Sequence, residues 1–136
     1  MPGLPFHHVA VAVPSLASAV PLYESVTGHR SSPIQTLETQ GVRVCFVGPQ
    51  LELLEPLTPD TGVGRFLDRS GAGLHHIAYR SDDLRADLER LAADGFELID
   101  AEPRPGAFGH SVAFLHPRST GRVLIELVEE HPISDP

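Results

Sequence analysis

Cysteine is almost absent from this sequence of 136 residues, and positive charge is scarce. With Cys45 as the single cysteine, no internal disulfide can form, which is typical of proteins in a reducing cytoplasm. No apolar run approaches the ~20 residues that a membrane-spanning helix requires. Ten basic residues against eighteen acidic ones give a formal net charge of −8, which argues against nucleic acid as the main partner. No positive charge precedes the first apolar run, so we expect no signal peptide and a cytoplasmic protein.

The composition that remains is that of a compact globular protein. Hydrophobic residues make up 41% of the chain and charged residues 21%, both close to the averages for soluble domains. Because one domain usually spans roughly 100–200 residues, we expect residues 1–136 to form a single domain. The chain also has eight histidines, which makes metal binding or acid–base chemistry worth testing.

The sequence contains an internal repeat. The segment HVAVA (8–12) matches HIAYR (76–80), and VCFVGP (44–49) matches VAFLHP (112–117) at the same offset. The segment ELLE (52–55) matches ELVE (126–129) at a larger offset, because the second half has extra residues before its last strand. Two copies of about 65 residues favour a closed pseudo-symmetric pair over a solenoid, which needs three or more repeats.

Each half of the repeat predicts a strand, a helix and then three strands. Apolar residues alternate over 6–13, which indicates a strand, and then recur at helical spacing until Gly28. Later strands are predicted over 29–37, 42–47 and 50–55, and over about 96–100, 110–116 and 122–128. The sequence therefore predicts an α+β fold of two tandem βαβββ modules, about 6–57 and 73–130. A linker of about 58–72, with a short helix near 62–69, joins them, and a curved mixed sheet forms a cup with the helices outside.

Four polar side chains are predicted to point into this cup. Successive side chains of a strand face opposite sides of the sheet, so His8, Glu52, His76 and Glu126 lie opposite the apolar positions of their strands. Two imidazoles and two carboxylates would be costly to bury together without a cation. A divalent ion removes this cost and leaves two positions for water or substrate. Mixed nitrogen and oxygen ligands suit manganese, iron, cobalt, nickel or zinc better than magnesium or calcium.

Other residues of chemically interesting types favour structural interpretations. Strand parity turns some of them away from the predicted cup, and the rest lie in loops or in the core. They are His7 and His75 on the opposite face, His116 and His131 in exposed loops, Glu55 and Glu129 on the strand surface, and Cys45 in the core. Cys45 has no evident partner base that would make it a nucleophile.

The motifs resemble those of the vicinal oxygen chelate superfamily, which includes glyoxalases, bleomycin resistance proteins and dioxygenases. The resemblance covers about residues 6–130 and is carried by HHVAVAVPSL (7–16), LELLEPL (51–57), GLHHIAYRSDDL (73–84) and VLIELVEE (123–130). LELLEPL and FLHPRSTG (114–121) resemble the methylmalonyl-CoA epimerase branch more narrowly. This resemblance implies the paired βαβββ fold, often as a homodimer, and a cobalt or manganese ion. The implied ligands are His8, His76 and Glu126, with Glu52 at a position that relatives fill with Glu or Gln.

The resemblance also implies a reaction. An epimerase of methylmalonyl-CoA, or of a close 2-substituted malonyl thioester, removes a proton and returns it through a metal-stabilised enolate. Inversion needs an acid or base on each face of the planar intermediate. Glu126 corresponds to one catalytic carboxylate of the family. The family's second glutamate stands where this chain has Thr39, and Glu38, one residue earlier, is the candidate that replaces it.

Two other functions stay open, and the ligands alone do not separate the first of them from the epimerase. A glyoxalase I-like lactoylglutathione lyase, or a related isomerase, uses the same four ligand types in its bacterial members. A non-catalytic protein that binds a small-molecule drug is the alternative outside the enzymes, although such relatives generally lack the metal ligands. The epimerase-like segments favour a small-molecule substrate carried as an acyl-CoA thioester, with neither nucleic acid nor membrane as a partner.

Overall fold

The computed structural model describes residues 3–132, so the outermost residues of the predicted domain, 1–2 and 133–136, lie outside the described part. The chain divides into two compact units. The first unit consists of residues 8–75, and the second of residues 76–132 together with 3–7. No helix within residues 3–132 is long and apolar enough to span a membrane.

The first unit follows the order strand, helix and three strands. Its elements are β1 (Phe6–Ala12), which starts in the segment 3–7, then α1 (Leu16–Thr27), β2 (Gln35–Leu37), β3 (Val42–Phe46), β4 (Leu51–Pro56) and α2 (Gly62–Ser70). Strands β2, β3 and β4 pair antiparallel in sequence, and β4 pairs parallel with β1. Ser15 begins α1 by accepting a hydrogen bond from the N–H of Ser18, and Gly28 ends the helix in the left-handed conformation with φ 74°.

The second unit has the same plan. Its elements are β5 (Gly73–Arg80), which starts at the end of the first unit, then α3 (Leu84–Ala93), β6 (Arg104–Pro105), β7 (Ser111–Leu115) and β8 (Ile125–Glu129). Strands β6, β7 and β8 pair antiparallel, and β8 pairs parallel with β5. Asp83 begins α3 by accepting from the N–H of Ala86. The predicted βαβββ order is therefore present in both units, and the helix predicted near 62–69 is α2.

The helix of each unit packs on the apolar face of that unit's strands. In the first unit, Leu16 of α1 packs with Val11, Val13 and Leu53. In the second unit, α3 contributes three leucines to a cluster that includes residues of β7 and β8. Its buried members are Leu84, Leu88, Leu91, Ala113, Leu115 and Leu127. The two cores use corresponding positions of the repeat, so each unit buries the corresponding face of its own strands.

The start of the chain belongs to the second unit. Leu4 packs against the α3 cluster, and the carbonyl of Pro5 accepts a hydrogen bond from the N–H of Arg80 at 2.8 Å. The ring of Phe6 lies 6.0 Å from the ring of Tyr79 in an edge-on arrangement. These contacts tie the segment 3–7 to β5 and its neighbours.

The strands predicted over 29–37 and 96–100 are largely wrong. The first is a strand only over Gln35–Leu37, and residues 96–100 form no strand. Single bridges remain at Ser31, which faces Val47, and at Leu98, which faces Leu115. Side chains replace the missing ladder bonds there, because Ser32 and Asp100 accept hydrogen bonds from the N–H groups of Phe46 and Phe114.

Candidate metal centre

A buried histidine and a buried glutamate meet in the first unit. β1 and β4 are parallel neighbours in which Ala10 lies beside Glu52, so His8, two residues before Ala10, shares a face with that glutamate. His8 Nε2 lies 3.3 Å from Glu52 Oε1. His8 is 3% exposed and Glu52 is 6% exposed. The pair lies on the face opposite α1, because Val11 and Leu53 point toward the helix.

The second unit has the same pair at the corresponding positions. Glu126 lies beside Ala78 where β8 runs parallel to β5, and His76 is again two residues earlier on the same face. His76 Nε2 lies 3.4 Å from Glu126 Oε1. His76 is 5% exposed and Glu126 is 4% exposed. The structure therefore brings each predicted histidine to its predicted carboxylate within its own unit.

The donor set of these pairs fits a divalent metal ion. A buried carboxylate is costly unless a positive charge or several hydrogen-bond donors face it, and a neutral imidazole supplies one donor at most. His8, His76 and Glu126, all buried, could each offer a ligand atom to a metal ion. Imidazole nitrogen with carboxylate oxygen is a ligand mixture typical of the later divalent transition metals and manganese. The residues present thus suit the group that the sequence motifs imply.

A phenylalanine ring packs against the histidine of each pair, and the sequence motifs did not predict this contact. Phe46 lies opposite Glu52 between β3 and β4, and its ring centroid is 5.3 Å from that of His8 with an interplanar angle of 84°. Phe114 lies opposite Glu126 between β7 and β8, and its ring is 5.3 Å from that of His76 at 88°. The two phenylalanines are separated by the same number of residues as the two histidines, and this match was the available signal.

The predicted surface role of Glu55 and Glu129 is wrong. Glu55 Oε1 accepts a hydrogen bond at 2.9 Å from the N–H of Leu16, the first residue of α1. Glu129 Oε1 accepts one at 2.8 Å from the N–H of Leu84, the first residue of α3. A carboxylate is favourable there because the first N–H groups of a helix have no partner within the helix and carry partial positive charge. Each glutamate thus anchors a helix to the strand that also carries a candidate ligand.

Glu38 does not lie in a strand. β2 ends at Leu37, and Glu38 starts a short 3-10 helix, Glu38–Gln40, that Gly41 ends in the left-handed conformation with φ 69°. Glu38 and Thr39 are both exposed. The irregular backbone means that strand parity does not decide where the Glu38 side chain faces.

Four other histidines make structural contacts. His7 lies 3.5 Å from Glu130, and His75 packs edge-on against Phe66. His131 Nε2 lies 2.7 Å from Ser111 Oγ. His116, predicted to be simply exposed in a loop, is instead half-buried, and its Nδ1 accepts from the N–H of Arg118 to begin a short 3-10 helix.

Cys45 is fully buried in the core of the first unit, as the sequence predicts. Burial, and then the negative charges of Glu52 and Glu24, raises the pKa of the Cys45 thiol. The thiol form is therefore favoured over the reactive thiolate.

Comparison with known families identifies the class of protein. The family model of the Glyoxalase/Bleomycin resistance protein/Dioxygenase superfamily matches residues 7–114. The chain belongs to this superfamily, as its motifs predict.

Within this superfamily, the chain is similar to methylmalonyl-CoA epimerases. The chain is 38% identical over 129 residues to the mitochondrial methylmalonyl-CoA epimerase of Dictyostelium discoideum, covering 91% of this chain and 77% of that protein. It is 36% identical over 126 residues to the ethylmalonyl-CoA/methylmalonyl-CoA epimerase of Cereibacter sphaeroides, with coverage of 89% and 94%. A Streptomyces coelicolor methylmalonyl-CoA epimerase variant in complex with 2-nitronate-propionyl-CoA superimposes with a TM-score of 0.91 at 33% identity, over 98% of this chain and 100% of that one. These matches confirm the predicted fold class and the predicted enzyme class, an isomerase of the epimerase type.

Proposed function

We propose that this protein is a metal-dependent epimerase of methylmalonyl-CoA or of a close 2-substituted malonyl thioester. The observation that carries the proposal is the duplicated buried pair, His8 with Glu52 and His76 with Glu126, in a chain related to epimerases. The substrate is an acyl-CoA thioester, as the analogue bound to the Streptomyces coelicolor relative suggests.

In this proposal the four residues of the two pairs are the ligands of one divalent ion, with cobalt or manganese expected. When bound, the ion supplies Lewis-acid stabilisation of the negative charge that develops on the thioester as its C2 proton leaves. The two carboxylates balance the charge of the ion, and the two imidazoles bind as neutral rings. All four side chains are buried, which limits the access of bulk water to the ion that they would hold.

Glu126 is proposed to exchange the C2 proton on one face of the substrate. Its Oε1 is held near His76 Nε2, and a carboxylate has two oxygens, so one can bind the ion while the other accepts the proton. Glu38 is proposed to serve the opposite face. Its exposure at the end of β2 is compatible with access to a substrate that enters from solvent. The homodimer and the cytoplasmic location expected from the sequence stay predictions.

The test is proton NMR of methylmalonyl-CoA in heavy water with the cobalt-loaded protein. We expect deuterium to replace the C2 proton and the two epimers to equilibrate. Glu126→Gln should prevent inversion and strongly slow the exchange on the face that Glu126 serves, whereas Glu129→Gln, on the opposite face of the same strand, is the matched control that retains both exchange and inversion. Glu38→Gln should lose inversion while keeping exchange on the face that Glu126 serves.

Failure of the wild-type protein to exchange the C2 proton would reject the epimerase proposal. The hemithioacetal of methylglyoxal and glutathione is the competing substrate in the same assay, and its turnover would assign the lactoylglutathione lyase function instead. Binding of either compound without turnover would favour a non-catalytic binding protein.

A further inference from the structure

Each histidine–glutamate pair is packed by a phenylalanine at the same position of the repeat. Phe46 and Phe114 each lie on the strand next to the glutamate and directly opposite it. Each ring is nearly perpendicular to the imidazole that it contacts, with 5.3 Å between centroids in both units. Perpendicular packing at this distance is a favourable arrangement of two aromatic rings. The same local structure thus occurs twice in one chain.

The backbone at each phenylalanine is held by a side chain from an irregular segment. The N–H of Phe46 donates to Ser32 Oγ at 2.9 Å, and the N–H of Phe114 donates to Asp100 Oδ2 at 2.9 Å. Ser32 and Asp100 are themselves matched positions of the repeat, with the same separation as the two phenylalanines. Both phenylalanines are therefore fixed at the backbone as well as by strand pairing, which limits how far their rings can move.

We propose that Phe46 and Phe114 are positioning residues that fix the ring planes of His8 and His76. The second side-chain torsion of histidine is broad, so strand geometry alone does not prevent the imidazole from turning and moving Nε2 away from its carboxylate. A ring packed perpendicular to the imidazole opposes that rotation. The consequence for metal binding rests on the proposed function, because it assumes that Nε2 of each ring is a ligand atom.

The two units differ in how firmly the phenylalanine is held. The guanidinium of Arg104 lies over the Phe114 ring, 5.6 Å from its centroid, and Arg104 Nε is 3.4 Å from Asp100 Oδ1. The corresponding position of the first unit is Thr36, which has no cationic group. The cation and its carboxylate restrain the Phe114 ring further. We expect His76 to be the more rigid of the two imidazoles.

The test measures the imidazole rings directly in the full-length, metal-free protein. Long-range proton–nitrogen NMR spectra report the tautomer and mobility of each ring. Phe46→Leu and Phe114→Leu remove the aromatic contact at little cost in volume, and Phe46→Tyr keeps the ring. Phe66→Leu is the matched control, because Phe66 contacts His75 at 5.0 Å and 74° outside the proposed ligand set.

In the wild type, the Phe46→Tyr variant and the Phe66→Leu variant, His8 and His76 should each give one sharp set of ring signals. Phe46→Leu should broaden or double the His8 signals, and Phe114→Leu the His76 signals. In calorimetric titrations with cobalt ions, the dissociation constants of Phe46→Leu and Phe114→Leu should be about tenfold higher than that of the wild type. This is the low end of the effect seen for residues that orient metal ligands.

Unchanged imidazole spectra in both leucine variants would overturn the proposal. Unchanged cobalt affinity in variants with altered spectra would overturn its consequence for metal binding. If the wild-type protein binds no cobalt, the proposed function fails, while the imidazole spectra still decide whether the phenylalanines position the rings. Circular dichroism of each variant separates local effects from unfolding.

Discussion

The two units share one backbone plan but differ on the side that carries their helices. α1 has one charged residue, Glu24, and it exposes Leu22 and Val26 to solvent. α3 is rich in charge, and its Arg85 forms an ion pair with Glu102. The positions that correspond to Arg85 and Glu102 in the first unit are an alanine and an isoleucine.

On the opposite face the two units are alike. Both place a histidine, a glutamate and a phenylalanine at matched positions, with histidine-to-glutamate distances of 3.3 Å and 3.4 Å. Solvated positions tolerate changes of residue type because water replaces lost contacts, whereas buried polar positions require specific partners. The two units therefore keep the same residues on the buried face and differ on the solvated helix side. Changing matched residues one at a time tests whether they have the same role in both units.

The largest expected difference concerns the two candidate ligand glutamates. Glu126→Gln should slow deuterium exchange at C2 by about a hundredfold or more, because an amide cannot act as the base. Glu52→Gln should cost far less, because an amide oxygen can still bind the ion. Initial exchange rates with methylmalonyl-CoA in heavy water measure both. Equal losses in the two variants would mean that the carboxylates have the same role.

Removing either glutamate that binds the start of a helix should cost a similar amount of stability in the two units. Glu55→Ala and Glu129→Ala each remove a carboxylate from the first N–H of a helix, and each should lower the free energy of unfolding by about 1 kcal/mol. The ion pair of Glu55 with the half-exposed Arg43 should add little to this. Urea titration measures the loss, with Glu89→Ala on the exposed side of α3 as control. A loss no larger than that of the control would show that the anchors do not stabilise the helices.

Substitutions in the turns before β4 and β8 should change the free energy of unfolding by a smaller amount, and with opposite sign in the two units. Gly48 and Arg122 both have a φ of 75°, and they are matched positions with the same offset as Glu52 and Glu126. This left-handed conformation is strained for arginine, so Arg122→Gly should raise the free energy of unfolding by about 0.5 kcal/mol after the entropy cost of glycine. Gly48→Ala should destabilise, because its new Cβ would lie 2.7 Å from the His29 ring. If Arg122→Gly lowers the free energy of unfolding instead, the backbone at Arg122 is not strained.

The smallest effect is expected in the pH dependence of the free energy of unfolding, through His110. Burial lowers the pKa of His110, and the nearby His131 does so to a lesser degree, against the opposing charge of Glu130. The unfolded chain then binds the proton more readily than the folded protein does, so the free energy of unfolding should fall as pH drops below about 6.5. The matched residue of the first unit is Val42, and His110→Val should flatten this slope in urea titrations between pH 7 and 5. An unchanged slope would exclude His110 as a source of acid sensitivity.

Much of the fold and the ligand pairs could be predicted from the repeat. Strand parity applies wherever a strand is regular, and it placed His8 with Glu52 and His76 with Glu126. It failed for Glu55, because parity gives the face of a side chain but not whether a helix begins within its reach. Glu38 lies beyond the end of a regular strand, where the 3-10 backbone breaks the alternation. The aromatic partners were missed because phenylalanine in a strand is ordinarily a core residue.

The attachment of the first residues to the second unit has a practical consequence for handling the protein. Leu4 packs among side chains that lie far along the chain, from Tyr79 onward, and the carbonyl of Pro5 is bonded to Arg80. Trimming the chain to begin at β1 would therefore remove support from α3 and its neighbours, while α1 would keep its own packing.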